Sequence, residues 1–110
     1  MLGKLKTNKN KAEWESKLKS LRGKIDRVDK NIIKELHKRW VIAEKIRYLK
    51  KRHDLKIVDN ERMNQMKKIH LSTAKRYNVP GEVVSGVFKV IVNDAIRFMK
   101  MKDGRKKNKK

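Results

Sequence analysis

The chain has 110 residues, of which 33 are Lys or Arg and 12 are Asp or Glu, giving a formal charge of +21. That length sets a single domain with a modest core. The lack of any cysteine excludes disulfides, thiolate metal sites and a thiol nucleophile, while a field this positive draws anions of every kind, from nucleic acid to a dicarboxylate.

The charge is uneven. Residues 1–24 carry eight bases and two acids, and residues 100–110 carry seven bases and one acid. Composition therefore assigns residues 1–10 and 102–110 to basic, disordered segments that flank a helical domain over 11–101. The start, MLGKLKTNKNK, lacks the apolar run of a signal peptide, and no stretch reaches the length of a membrane span. The expectation is a soluble, cytoplasmic protein.

From Lys11 to about His53 the apolar positions are Trp14, Leu18, Leu21, Ile25, Val28, Ile32, Leu36, Trp40 and Ala43. The pattern continues through Ile46 or Arg47 and then Leu49 or Lys50. Steps of three and four predict one long amphipathic helix, with Gly23 the only weak helix former in its middle. Such a helix runs about 60 Å at 1.5 Å per residue, against roughly 26–28 Å for the width of a compact globule of this size. A lone helix of that length leaves its apolar stripe in water, so length alone predicts pairing with a second copy. Trp14 and Trp40 read as anchors of that interface or of the core.

Asp54–Val58 interrupts the pattern. Asp59 then reads as the N-cap of a second helix, with Glu61 well placed in its first turn. This helix carries Met63, Met66, Ile69, Ala74 and Tyr77, and its methionines read as core filler. Asn78-Val79-Pro80-Gly81 is a turn, and the only proline sits where a helix can begin. A third helix follows through Val83, Val84, Val87, Phe88, Val90, Ile91, Ala95, Ile96 and Met99. Its β-branched residues suit a strand, but its length and spacing favour a helix. His37, His53 and His70 show no metal-ligand spacing. Asp26 and Asp29 share a helical face, where Arg22 or Lys30 could pair with them.

Four cations lie along this helical pattern at spacings of seventeen, eleven and twelve: Arg22, Arg39, Lys50 and Arg62. A small helical protein with several cations turned inward holds an anion. The segments LRGKIDRVDKNIIKELHKRWVIAEKIRYLKK, IVDNER and VFKVIVNDAI carry them. Together these segments resemble the all-α (AroQ) class of chorismate mutases over about Leu21 to Lys100, without a gap. The resemblance implies an all-α fold in which three-helix protomers, each with one long N-terminal helix, intertwine as a homodimer.

It also implies a role for each cation. Arg22 resembles the arginine that crosses into the partner's site to hold a substrate carboxylate, and Arg39 the one that holds the other carboxylate within its own protomer. Lys50 resembles the lysine that donates to the ether oxygen of the breaking bond. Asp59 and Arg62 match the start of the second helix, which closes the pocket near the ring hydroxyl. Lys50 and Arg39 are thus the expected catalytic residues. The substrate-binding set is Arg22, Arg39, Lys50, Asp59, Arg62, Met63, Ala95 and Met99. Rearranging chorismate to prephenate is unimolecular and pericyclic, so the implied activity needs no cofactor and no metal.

Three of these positions depart from the family pattern. Met63 stands where the family usually has a glutamate, Met99 replaces a glutamine or glutamate that shares the ether oxygen, and Ala95 replaces a small hydroxyl residue. Related chemistry on a similar dianion is the alternative, either isochorismate pyruvate lyase or aminodeoxychorismate mutase. A non-catalytic homologue that binds RNA or an acidic partner is the reading from another class. Nucleic-acid binding through the basic tails is possible but not favoured, because the chain lacks interleaved aromatics and matches no nucleic-acid motif.

Overall fold

The structure, a computed structural model, describes the backbone of residues 2–104 and the side chains of residues 10–104. Those residues form three α-helices and no strand: α1 is Leu2–Arg52, α2 is Asn60–Arg76 and α3 is Gly81–Asp103. The fold is all-α, with one long N-terminal helix, as the periodicity predicts. Residues 105–110, most of the expected C-terminal tail, lie outside the described residues. No helix among the described residues is long and apolar enough to cross a membrane. The chain divides into two compact units, Met1–Arg39 and Trp40–Lys110, and α1 contributes to both.

In the first unit α1 begins at Leu2, earlier than the Lys11 start that the apolar spacing gives. Leucine and lysine are good helix formers, and no proline stands in the way. The stripe Trp14, Leu18, Leu21, Ile25, Val28, Ile32 and Leu36 stays between 37% and 59% exposed. This chain therefore does not bury it. Asp26 and Asp29 do not pair with Arg22 or Lys30 in the structure; the ion pairs of this stretch are Lys11–Glu15 at 3.9 Å and Lys38–Glu35 at 3.2 Å. Exposed pairs such as these contribute little to stability.

In the second unit the core is small: Ile57, Ala74, Val92 and Ala95 are its buried apolar residues. Two left-handed residues shape the chain around it. After α1, the amide of Asp54 donates to the Lys51 carbonyl (3.3 Å) and that of Leu55 to the Lys50 carbonyl (2.7 Å), with Asp54 at φ 53°. After α2, Asn78 takes φ 56°, its amide donates to Lys75 (3.3 Å) and that of Val79 donates to Ala74 (2.9 Å). Both are Schellman closures that satisfy the last carbonyls of a helix, and Asp and Asn tolerate the left-handed region better than most residues. The second closure turns α3 back along α2, where His70 stacks on Phe88 with ring centroids 3.8 Å apart. Pro80 opens α3 and Gly104, at φ 69°, closes it.

Candidate active site

Lys50 is half-buried near the end of α1, and its Nζ donates to the Ile57 carbonyl oxygen at 2.7 Å. The closure at Asp54 produces this contact. It turns the chain just past the end of α1, so the buried Ile57 returns to the lysine whose carbonyl closes the turn. An ammonium has three donors, and the Ile57 carbonyl occupies one of them. The sequence leaves Leu49 and Lys50 as alternatives for the inward position. The structure resolves them, with Leu49 55% exposed and Lys50 the more buried.

Asp59 caps α2. Its backbone is extended (φ −118°, ψ 106°), and its Oδ1 accepts from the Arg62 amide at 3.2 Å. The carboxylate is therefore engaged in a structural bond. Arg62 is exposed on the first turn of α2, and Met63 beside it is half-buried.

From α3, Ala95 is buried and Met99 half-buried. Together with Phe98 they face Trp40, Ala43 and Glu44 of α1 around a cavity of about 10 Å³. That is about the room of one water. The Trp40 and Phe98 rings meet edge to face, with centroids 5.1 Å apart and planes at 69°.

One turn farther along, Arg47 donates through Nη1 to Asp103, whose side chain is fully buried, and through Nη2 to Glu44 at 2.7 Å. Lys102 Nζ reaches the same Glu44 oxygen at 3.2 Å. The Arg47 hydrogen bond, assisted by Lys102, holds the Glu44 carboxyl below its usual range against the opposing effect of burial. Glu44 and then Asp103 hold the Arg47 guanidinium above its ordinary value. The spacing offers Ile46 or Arg47 as the inward residue, and Arg47 fills that place by ion pairing rather than by apolar burial. Asp103 falls in the stretch that composition assigns to the basic tail; instead it ends α3 inside this cluster. Its signal was the Asp103-Gly104 step, since glycine just after a helix is a common stop.

Arg22 and Arg39 belong to the first unit, where Arg22 is exposed and Arg39 half-buried. Neither has an acidic partner among the described residues. Among the eight expected site residues, then, Lys50, Asp59, Arg62, Met63, Ala95 and Met99 share the second unit, and the two arginines lie on α1 in the first. No group of three metal-ligating side chains occurs among the described residues.

These features define an all-α domain with two half-buried cations, Arg39 and Lys50, among its expected site residues. Residues 21–100 match the family model for chorismate mutase type II, and the chain belongs to that family. No curated protein and no solved structure matches it.

Proposed function

We propose that this protein is a chorismate mutase that rearranges chorismate to prephenate within a homodimer. The carrying observation is Lys50: a half-buried ammonium, held at 2.7 Å on a backbone carbonyl, with no carboxylate partner among the described residues to consume its charge. Arg22 and Arg39, likewise without acidic partners, suit the two substrate carboxylates, since a guanidinium fork grips both oxygens of a carboxylate. Arg39 and Lys50 lie eleven residues apart in the sequence, close to three helical turns.

The reaction needs two things from the site. A flexible dianion must be held in its compact reactive conformer, and the two arginines supply that orientation. Negative charge also develops on the ether oxygen as the carbon–oxygen bond breaks, and Lys50 supplies a charged donor there. Ile57 points this donor, while the Asp59 cap holds the first turn of α2 with Arg62 and Met63. Ala95 and Met99 provide an apolar wall in place of a second donor, so catalysis rests on Lys50 and proceeds slowly for this family.

The half-exposed apolar stripe of α1 supports the homodimer, because a second copy is the surface that matches it along its whole length. In that dimer Arg22 serves the neighbouring site. The apolar character of Met63, Ala95 and Met99 favours a second substrate reading, a chorismate-like dianion that does not carry chorismate's hydroxyl at the same ring position. Incubating the purified protein with chorismate and following prephenate tests the main reading. Absence of turnover above background at high enzyme concentration rejects it. Turnover on isochorismate or aminodeoxychorismate in the same assay selects the alternative.

A further inference from the structure

The face of α1 opposite its apolar stripe carries cations in one row. Arg27, Lys30, Lys34 and Lys38 follow one another at steps of three, four and four, and all four are exposed. At about 100° per residue, this row lies on the far side of the helix from Ile25, Val28, Ile32 and Leu36. Of these four, only Lys38 has an acidic partner among the described residues, Glu35 at 3.2 Å. Asp26 and Asp29, although adjacent in sequence, make no ion pair with the row. The row spans twelve residues of helix, about 16 Å from first to last, with cations about 5 Å apart, and no acid interrupts it.

The geometry points to this row as a docking surface for the phosphate backbone of a nucleic-acid duplex. Regularly spaced cations along one helix face, three of the four without an acidic partner among the described residues, match a regularly spaced polyanion, and their binding is driven by counterion release. The row contains no aromatic residue, so it offers no platform on which single-stranded bases could stack. It has no base-reading side chains at a helix end, which makes the binding independent of sequence. An anionic membrane is the competing polyanion, but a membrane-bound helix needs its apolar face free to insert. On the homodimer reading above, on which this inference rests, a second copy covers that face. The surface is thus on the body of α1 and does not depend on the basic chain ends.

The test measures binding of the full-length protein to a labelled duplex RNA of arbitrary sequence between about 50 and 200 mM salt. Replacing the row with Arg27→Ala, Lys30→Ala and Lys34→Ala is expected to flatten the log–log salt dependence by close to 3, about 0.9 for each lost phosphate contact. A charge-matched control, Lys67→Ala, Lys68→Ala and Lys89→Ala, is expected to change it by less than 1. Equal loss from both triple variants reduces the effect to net charge and overturns the inference. So does loss of binding on Arg105→Ala, Lys106→Ala and Lys107→Ala alone, or tighter binding to phosphatidylserine vesicles than to the duplex. Chorismate turnover and particle mass are read on the same preparations, and the row variant is expected to leave both unchanged. A wild-type protein without turnover refutes the proposed activity, while the salt slopes still decide the surface.

Discussion

Lys50 Nζ and the Ile57 carbonyl oxygen are 2.7 Å apart, joined across a turn that begins at Lys50 itself. The lysine holds this turn twice: its own carbonyl accepts from the Leu55 amide, and its side chain reaches the carbonyl two residues later. Lys50→Ala is therefore predicted to act on both chemistry and fold. Prephenate formation should fall about a hundred- to a thousandfold, the usual effect of removing one donor to a developing oxyanion. Stability should fall by about 1–2 kcal/mol for the lost charge-assisted bond, discounted for partial exposure. Stopped assays and denaturant titration of the same variant read the two effects separately.

The two ends of the proposed site predict opposite kinetic results. Arg39→Ala should abolish measurable turnover by removing a carboxylate clamp. Met99→Gln should raise kcat, because it restores a polar group on the wall beside Ala95. If neither variant moves the rate in its stated direction, the roles given to these residues are wrong.

Asp59 offers a cleaner separation of structure from chemistry. Its carboxylate caps α2, so Asp59→Ala should cost about 1 kcal/mol, and Asp59→Ser should recover most of it. Turnover that recovers with Asp59→Ser places the whole effect in the cap. A serine variant that is stable but slow instead requires contact between Asp59 and substrate.

Acid sensitivity should report on Glu44. Its carboxyl lies below the ordinary value of 4.5 in the folded chain, chiefly through the Arg47 hydrogen bond. A depressed carboxylate contributes stability above its unfolded pKa and loses it as pH falls through the folded one. Thermal melts should therefore drop below about pH 4.5. Glu44→Gln should lower stability near neutrality and flatten that acid limb. Arg47→Ala should be harsher, at about 2–4 kcal/mol, since it leaves Asp103 buried without its guanidinium.

The apolar stripe gives a test of assembly. Ile32 is 52% exposed, and at an exposed position Ile32→Glu should change stability by no more than about 0.5 kcal/mol. In the proposed homodimer the same substitution buries a carboxylate in the interface. Halving of the mass in sedimentation, with loss of turnover through withdrawal of Arg22, is the expected result.

The readings that succeeded were those decided by neighbouring residues. The Asp59 cap, the turn at Asn78, the start of α3 at Pro80 and the helical period of α1 all depend on residues within a few positions of one another. The failures were long-range. Arg47 and Asp103 are 56 positions apart, and no local pattern says that one end of α3 will meet that turn of α1. The same limit left Ile46 and Arg47 as equals, since each is plausible until a neighbouring helix selects an edge. Asp26 and Asp29 are a different case, because spacing permits an ion pair with Arg22 or Lys30 but does not require one. For the candidate site, residue identities came from the family resemblance. The Lys50–Ile57 bond came from neither, because a main-chain acceptor leaves no trace in residue type.

The edge-to-face contact of Trp40 with Phe98 also makes the chain its own optical instrument. The two indoles are divided between the units, Trp14 in one and Trp40 in the other. Trp14→Phe leaves an emission that follows the packing of α1 on α3, and Trp40→Phe leaves one that follows the first 39 residues. Whether the two units melt together or in sequence can then be read from wavelength alone, with no label attached.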